Sequence, residues 1–472
     1  MKRLSRRKFM AGSALAMLYG ASPSLLRAST AAISTSSTTS STSTTVPWRN
    51  WSGALEAHPA GRFAATSEAH LAQFLATTQG AVRPVGSGHS FSPLVPTDGH
   101  LIVIDQLNGL LGHDPAALTA TFGAGTRLGD MGAPLEAAGQ AMFNLPDIDR
   151  QTLAGATATA THGTGINFKC LSGYVTALRL VTPAGDIIDV DAASDPQLFN
   201  AARVSLGSLG IVTRMTMQNR TPYRLKQTTW LEKTDDLLAS FDKHVAEHRH
   251  FEMFPLTHSD YAMALATDET DEPINNPTPS PEEDAAFDDA MSGWRMVPPS
   301  MRKPLINGMA MMIEPSERVD TSYKILANVR ANRFNEMEYA VPVANGAACL
   351  QEILRTIDEQ NLDVVFPLEY RYVAHDDTWL SMSSGHESHA AISVHRIASE
   401  DYRPYFDVIE PIFWKYGGRP HWGKVHTLGA AELGKLYPHF AEFQALRARL
   451  DPQGRMLNEH LRKVFGVTEA VS

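Results

Sequence analysis

Short apolar runs separated by glycine-rich turns organise the first half of the chain. Ala81 to Val85 is one such run, and it leads into Gly86-Ser87-Gly88-His89-Ser90. Leu101-Ile-Val-Ile-Asp105 has the length and continuity of a buried strand. Thr121-Phe-Gly-Ala-Gly-Thr-Arg-Leu-Gly129 leads into a helix predicted over Leu128 to Ala138. Leu178 to Val190 reads as a hairpin turning at Pro183-Ala184-Gly185-Asp186, where Pro and Gly supply the dihedral angles of a tight turn. Leu198 to Thr213 reads as a helix, a glycine turn and a strand. In the second half, Pro367-Leu-Glu-Tyr-Arg-Tyr-Val373 alternates. That predicts a strand with Glu369 and Arg371 on one face and Tyr370 and Tyr372 on the other. Ala390 to Ile397 reads as a neighbouring strand with Ser393, His395 and Ile397 on one side.

These elements sit in a chain of 472 residues, enough for roughly two to four units, with two lobes around a cleft as the simplest arrangement. With 43% hydrophobic and 19% charged residues, the chain can bury a core, which excludes wholesale disorder and a coiled coil. The net charge of −10 argues against a nucleic-acid binder, which presents a basic face. Cys170 and Cys349 are the only cysteines, so a disulfide scaffold and a Cys-rich metal site are excluded; one bridge or two core thiols remain, and core thiols are the favoured reading.

The amino terminus carries Ser5-Arg6-Arg7-Lys8-Phe9-Met10 and then a weakly apolar stretch, Ala11 to Leu26, broken by Gly12, Gly20, Ser22 and Pro23. It is too short and interrupted for a stable membrane span, and it resembles a bacterial twin-arginine export signal, expected over 1–32 with cleavage near Ala28 to Ala32. Export to the periplasm or outside is the expected localisation, with the twin-arginine translocase as a transient partner and an uncleaved anchor as the alternative. Residues 33–46, dominated by Ser and Thr, read as a flexible tether. Asp268 to Glu283, rich in Pro and acids, reads as a surface loop or insertion.

The glycine-rich segments are the first candidate chemistry. Gly86 and Gly88 can take positive φ and let backbone N–H groups approach an anion. In Leu153-Ala-Gly-Ala-Thr-Ala-Thr-Ala-Thr-His-Gly-Thr-Gly165, small residues let a flat molecule lie on the backbone, and Thr157, Thr159, Thr161 and Thr164 can donate to phosphate or ring oxygens. No G-x-G-x-x-G stands between a strand and a helix and there is no P-loop, which disfavours a standard Rossmann or phosphoryl-transfer enzyme.

Taken together, Val85-Gly-Ser-Gly-His-Ser-Phe-Ser92, Ala154 to Gly165 and Leu206-Gly-Ser-Leu-Gly-Ile-Val212 resemble the FAD-binding half of the vanillyl-alcohol-oxidase (PCMH-type) flavoproteins. Within that superfamily the chain is most similar to the sugar-1,4-lactone oxidases, the gulonolactone and arabinonolactone oxidases, and to their relatives the alditol oxidases. The likeness covers about 47–224 and resumes from about 360 to the end. It implies an α+β fold: a two-subdomain FAD-binding lobe (47–224), a mixed α/β substrate or cap domain (225–425), and a C-terminal segment (426–472) returning to the FAD lobe.

The resemblance also implies site residues. His89 matches the histidine bonded covalently to the flavin 8α-methyl, and Gly86, Ser87, Gly88 and Ser90 form its turn. Gly155, Thr157, Thr161, His162, Gly163, Gly165 and Ile211 fall in the other cofactor-binding runs. Leu145 to Leu153 contains no Cys, so a single linkage is expected. Gly418-Arg-Pro-His-Trp-Gly-Lys-Val425 resembles the family's His-Trp-Gly-Lys stretch, which places Lys424 beside the flavin N1–C2 carbonyl side and His421 near the ring or the substrate. Asp451-Pro-Gln-Gly-Arg-Met-Leu-Asn458 matches a C-terminal stretch that returns to the flavin domain, with Asn458 as a cofactor contact.

Glu369 and Arg371 are expected to bind and orient substrate, or else to form an ordinary same-face ion pair; His395 is a base, a hydroxyl-binding group or a core histidine. Two positions depart from the family pattern: Pro146 stands for a small residue beside the flavin edge where oxygen reacts, and Asp147 for a Ser that binds sugar hydroxyls. Oxidase and dehydrogenase chemistry therefore both stay open. No metal is expected, since His386, Glu387 and His389 do not form H-E-x-x-H. The expected activity is FAD-dependent oxidation of a sugar lactone, or of a polyol, with O2 or another acceptor taking the electrons. A flavin-fold protein that binds without turnover is the alternative, against which the co-occurrence of His89, Glu369, Arg371 and Lys424 argues.

Overall fold

The computed structural model describes residues 46–276, 293–311, 313–328 and 332–468. The expected export signal, nearly all of the expected Ser/Thr tether and the second part of the Pro-rich loop lie outside the described residues. The first lobe begins with a three-stranded parallel sheet in the order Gly61–Ala64, His100–Val103, Val82–Val85. Parallel strands need a crossover, and the helix Glu68–Thr77 supplies the one that links the two outer strands; Ser67 starts it by accepting from the His70 N–H. A five-stranded antiparallel sheet follows, in the order Leu110–Asp114, Thr119–Gly123, Ile211–Gln218, Val175–Val181, Ile187–Asp191. Its hairpin turns where predicted, with Val181 opposite Ile187 and Gly185 at φ 92°. The helix predicted over Leu128 to Ala138 is instead split into a 3-10 turn, Leu128–Asp130, and a short helix, Gly132–Ala137. Glycines at 129 and 132 weaken a continuous helix there, and Gly132 lies directly against the Tyr323 ring, where a side chain has no room.

The second lobe is built on an eight-stranded sheet in the order Ser316–Thr321, Arg224–Lys233, Tyr261–Glu269, His250–Pro255, Glu369–Val373, His389–Ile397, Phe334–Pro342, Arg419–Pro420. All its pairings are antiparallel. Helices cover one face through aromatic contacts. Phe241 of the helix Thr234–Glu247 packs on Tyr370 at 4.6 Å, and Phe413 of the helix Arg403–Lys415 stacks on Tyr339 at 4.7 Å. The period-2 rule then turns Glu369 and Arg371 to the opposite face, toward the first lobe.

The last helices, Ala430–Leu436, Phe440–Leu450 and Glu459–Phe465, bring the chain end back to the first lobe. Arg455 donates to the carbonyls of Leu75, Thr78, Gly80 and Pro183, and its own carbonyl accepts from the Val82 N–H. Arg83, fully buried, donates to the carbonyls of Leu94, Leu206, Gly207 and Met456. Cys170 and Cys349 are free and buried, so they act as core residues. Among the described residues, no helix is long and apolar enough to cross a membrane.

Candidate active site

A cleft of about 1030 Å³, open mouth included, runs along the first lobe. Its wall takes Gly86, Ser87, Gly88, His89 and Ser90 from the turn after Val82–Val85, and Gly155 and Thr161 from the alanine-rich run. Gly207 and Ile211 come from the glycine turn, and His421, Gly423 and Lys424 from the far end of the chain. This wall suits a dinucleotide with a diphosphate. Among the described residues, the N–H groups from Gly86 to Ser90 find no protein acceptor, and the Ser87 hydroxyl is buried without a partner. Arg83 also borders the cleft, but its donors are spent on carbonyls. Backbone N–H groups are thus the donors placed to meet an anion there. Gly86 is required, because an added Cβ would collide with the Thr152 hydroxyl.

His89 stands in this turn, half-buried and stacked on Trp51. Burial, then the positive charges of Lys424, Arg150 and Arg127, lower its pKa to about 4. Its imidazole is therefore neutral at pH 7. The loop carrying Lys424 is stitched to the same turn. The Phe91 N–H donates to the Gly423 carbonyl at 2.7 Å, and the Ser92 hydroxyl donates to the Trp422 carbonyl. The fully buried Trp422 anchors the loop by stacking on Tyr437 at 5.0 Å.

Beyond Lys424 lies the charged face of the large sheet. Antiparallel register sets Glu369, Ser393 and Glu338 side by side on three strands, His395 opposite Glu336, and Glu252 opposite Arg371. Arg371 Nη1 pairs with Glu369 Oε1 at 2.9 Å and Nη2 reaches Glu338 Oε2 at 3.4 Å, while its buried Nε has no protein partner among the described residues. Glu338 also accepts from His162 Nε2 at 2.6 Å and from the Ser393 hydroxyl at 2.8 Å. Lys424 is paired with Glu336, which His395 also approaches at 3.7 Å.

These charges set the protonation states. Burial, reinforced by Glu252, Glu338 and Glu336 and opposed by Arg371, pushes Glu369 up to about 8. Burial opposes ionisation of Glu338 as well, but His162 beside it, with Arg371, holds its carboxyl well below the usual range. Burial would lower Arg371, but the surrounding carboxylates, Glu369 first, hold it above its ordinary value. Burial lowers His421 to about 3; its Nδ1 accepts from the Gly423 N–H, so Nε2 carries the proton.

The predicted residues thus fall into groups. Gly86, Ser87, Gly88, His89, Ser90, Gly155, Thr161, Ile211, His421 and Lys424 line one cleft. Glu369, Arg371 and His395 share the charged face beside it. Other expected cofactor contacts are placed elsewhere. The Thr157 hydroxyl is turned into the core, donating to the Leu153 carbonyl and Met215 Sδ, because a helical threonine satisfies itself on the preceding turn. Asn458 is the N-cap of Glu459–Phe465 and spends its amide on the carbonyls of Pro93 and Pro96. His162 faces Glu338 rather than the cleft wall. Gly163 lies against the Leu145 carbonyl, and the Gly165 N–H donates to the Tyr372 carbonyl, joining the two lobes. Pro146 is buried outside the cleft wall, and the Asp147 carboxylate accepts from Asn328 at 2.8 Å. Sequence reasoning missed Glu252, Glu336 and Glu338. Acids at alternate positions in Phe334-Asn-Glu-Met-Glu-Tyr339, a run otherwise suited to a buried strand, were the available signal.

Comparison with known proteins agrees with this geometry. The family model described as D-arabinono-1,4-lactone oxidase matches residues 215–464, and the one described as FAD binding domain matches 59–191. The chain is 36% identical over 428 residues to an L-gulono-1,4-lactone dehydrogenase of Mycobacterium tuberculosis, covering 89% of this chain and 99% of that one. It is 30% identical over 438 residues to the L-gulonolactone oxidase of Bos taurus, covering 89% and 98%. An alditol oxidase of Streptomyces sp. is 28% identical over 428 residues, covering 88% and 98%. Among solved structures, cholesterol oxidase from Brevibacterium sterolicum superposes with a TM-score of 0.72 at 16% identity, over 89% of this chain and 96% of that one, which shows a shared fold. The cleft of one lobe and the carboxylate–guanidinium face of the other, joined by one loop, thus stand in a FAD-dependent oxidoreductase, and the chain belongs to the D-arabinono-1,4-lactone oxidase family.

Proposed function

We propose that this protein oxidises a CH–OH group of a sugar 1,4-lactone to a ketone, with O2 as final electron acceptor and H2O2 as second product. FAD, when bound, supplies at its N5 the acceptor for the hydride. The observation that carries the reading is that Lys424 lines the cofactor cleft and is at the same time paired with Glu336 on the charged sheet face. A substrate over that face meets the reactive end of the cleft. Arg371 has its Nε–H, unpartnered among the described residues, for a substrate oxygen. Glu369, pushed up to about 8, can exchange the hydroxyl proton near neutral pH. The Lys424 ammonium favours negative charge developing at the cofactor end. His89 holds the flavin covalently in this reading, through a neutral imidazole.

Residues 1–32 direct export by the twin-arginine route, on the strength of Arg6-Arg7 and the weakly apolar run after it. That route carries folded protein, so a cofactor loaded in the cytoplasm travels with the chain. Periplasmic signal should vanish in an Arg6→Lys, Arg7→Lys variant, and its persistence would reject the route.

Anaerobic stopped-flow against a panel of aldono-1,4-lactones and alditols tests the activity. The flavin absorbance should bleach fastest with a lactone. Faster bleaching by an alditol replaces the substrate class, and no bleaching at all removes the reading. Stoichiometric H2O2 in air supports O2 as acceptor, whereas turnover only with a quinone or cytochrome makes the protein a dehydrogenase.

A further inference from the structure

Glu338 lies at the middle of the strand Phe334–Pro342, about 1% exposed, with both carboxylate oxygens engaged. Its Oε1 takes the His162 imidazole, and its Oε2 takes the Ser393 hydroxyl and one arm of Arg371. We infer that Glu338 is a positioning residue for the oxidation: it holds Arg371 through a different nitrogen from the one Glu369 holds, and ties it to His162 and Ser393. The role of Arg371 in substrate binding rests on the function proposed above; the network itself does not.

Two features of the geometry support the assignment. Both nitrogens of His162 meet acceptors, the Gly163 carbonyl at 2.9 Å and Glu338 at 2.6 Å. With a partner at each ring nitrogen, the imidazole is gripped from both sides and fixed in one orientation. His162 belongs to the alanine-rich run of the FAD lobe, and the nearby Gly165 N–H bonds the Tyr372 carbonyl at 2.7 Å. Glu338 therefore fastens the substrate sheet to the cofactor lobe at the point where the two must stay in register.

The second feature is the division of the Arg371 charge. The guanidinium stands between two carboxylates, at 2.9 Å from Glu369 and 3.4 Å from Glu338. The longer distance is an ion-pair separation more than a full hydrogen bond, so Glu338 acts there through charge. Around Glu369 lie Arg371 from its own strand, Glu252 from the adjoining strand on one side, His395 from the adjoining strand on the other, and Glu336 and Glu338 from the strand beyond that. Of these, Glu338 both repels the Glu369 carboxylate and draws on the cation that would stabilise it. With Glu338 neutral, Arg371 is left to Glu369, which then ionises at lower pH.

The test compares holoenzyme of wild type, Glu338→Gln and Glu338→Asp. Glu338→Gln should slow anaerobic flavin reduction by about 10²-fold with little change in KM, the size expected when a substrate-orienting group is misplaced. The limb of the pH–rate profile that reports Glu369 should move to lower pH, whichever form of Glu369 is active. A substrate-free measurement runs beside it: in pH-difference infrared spectra, the carboxyl band absent from Glu369→Gln should titrate at lower pH in Glu338→Gln than in wild type. A wild-type rate, or a slower rate with limb and band both unmoved, overturns the inference. Should Glu338→Gln fail to retain FAD, Glu338→Asp, which keeps the charge but shortens the reach, must still lose rate with the band unmoved; a wild-type rate there overturns the inference too. Should no lactone or alditol reduce the wild type, the proposed function fails, and the infrared shift alone decides for or against Glu338.

Discussion

The His89 imidazole stacks on the Trp51 indole, with ring centroids 5.2 Å apart and planes inclined by 23°. Trp51 is in turn held edge-on by Phe334 at 5.2 Å, so the imidazole cannot turn freely. Burial and three nearby cations keep it neutral, with a pKa of about 4. A neutral, oriented imidazole keeps a lone pair for bonding to an electrophilic carbon. Acid-precipitated protein should therefore stay yellow and fluoresce under ultraviolet light. His89→Ala should give a colourless pellet while the native variant still binds FAD through the backbone N–H groups from Gly86 to Ser90. A colourless pellet from fully loaded wild type would remove the covalent link.

Lys424 is the cation common to the cleft and the charged face, about 18% exposed and paired with Glu336. Its ammonium also lies 5.2 Å from the Phe91 ring, two residues from His89. Lys424→Met removes that charge while keeping much of the side-chain volume. Anaerobic flavin reduction should fall by about 10² to 10³-fold, the usual loss when a preorganised charge-stabilising donor is deleted. FAD content should change little, because the donors placed for an anion are main chain from Gly86 to Ser90. Equal reduction rates in variant and wild type would exclude Lys424 from the chemistry.

Where local spacing decides the structure, the sequence was readable. The Val181–Ile187 hairpin and the alternation of Glu369, Tyr370, Arg371 and Tyr372 each depend on a few adjacent residues, and each has the predicted shape; of the two glycines suited to positive φ after Val85, Gly88 takes it at 70° and Gly86 does not. The site's electrostatics could not be read in that way. Glu338 meets His162 across 176 positions, and Ser393 meets Glu338 across 55, through strand pairings that no local pattern specifies. Thr157 shows the opposite failure. It lies in a segment that faces the cleft, yet its hydroxyl bonds its own helix, because helical geometry turns every third or fourth residue inward. The motif points Asn458 to the cofactor, but an Asn just before a helix is first of all an N-cap, and its side chain accepts from the Leu461 N–H.

His426 offers a prediction about pH and stability away from the chemistry. Its ring is buried beside the edge of Trp422 and 5.6 Å from His460, and neither nitrogen has a partner among the described residues. Burial, then His460 and Lys463, lower its pKa to about 3, against 6.5 for the exposed side chain. Between those values the unfolded chain binds a proton that the folded protein refuses. The stability tied to this group is thus complete above about pH 6.5 and is lost as pH falls toward the folded value. From about pH 6.5 to about 4.5 the loss is on the order of 2 to 3 kcal/mol. His426→Phe fills the same space without titrating. Its Tm should lie near wild type at neutral pH and rise progressively above it as pH is lowered through that range. Parallel Tm–pH curves for the two proteins would show that His426 does not cause the acid sensitivity.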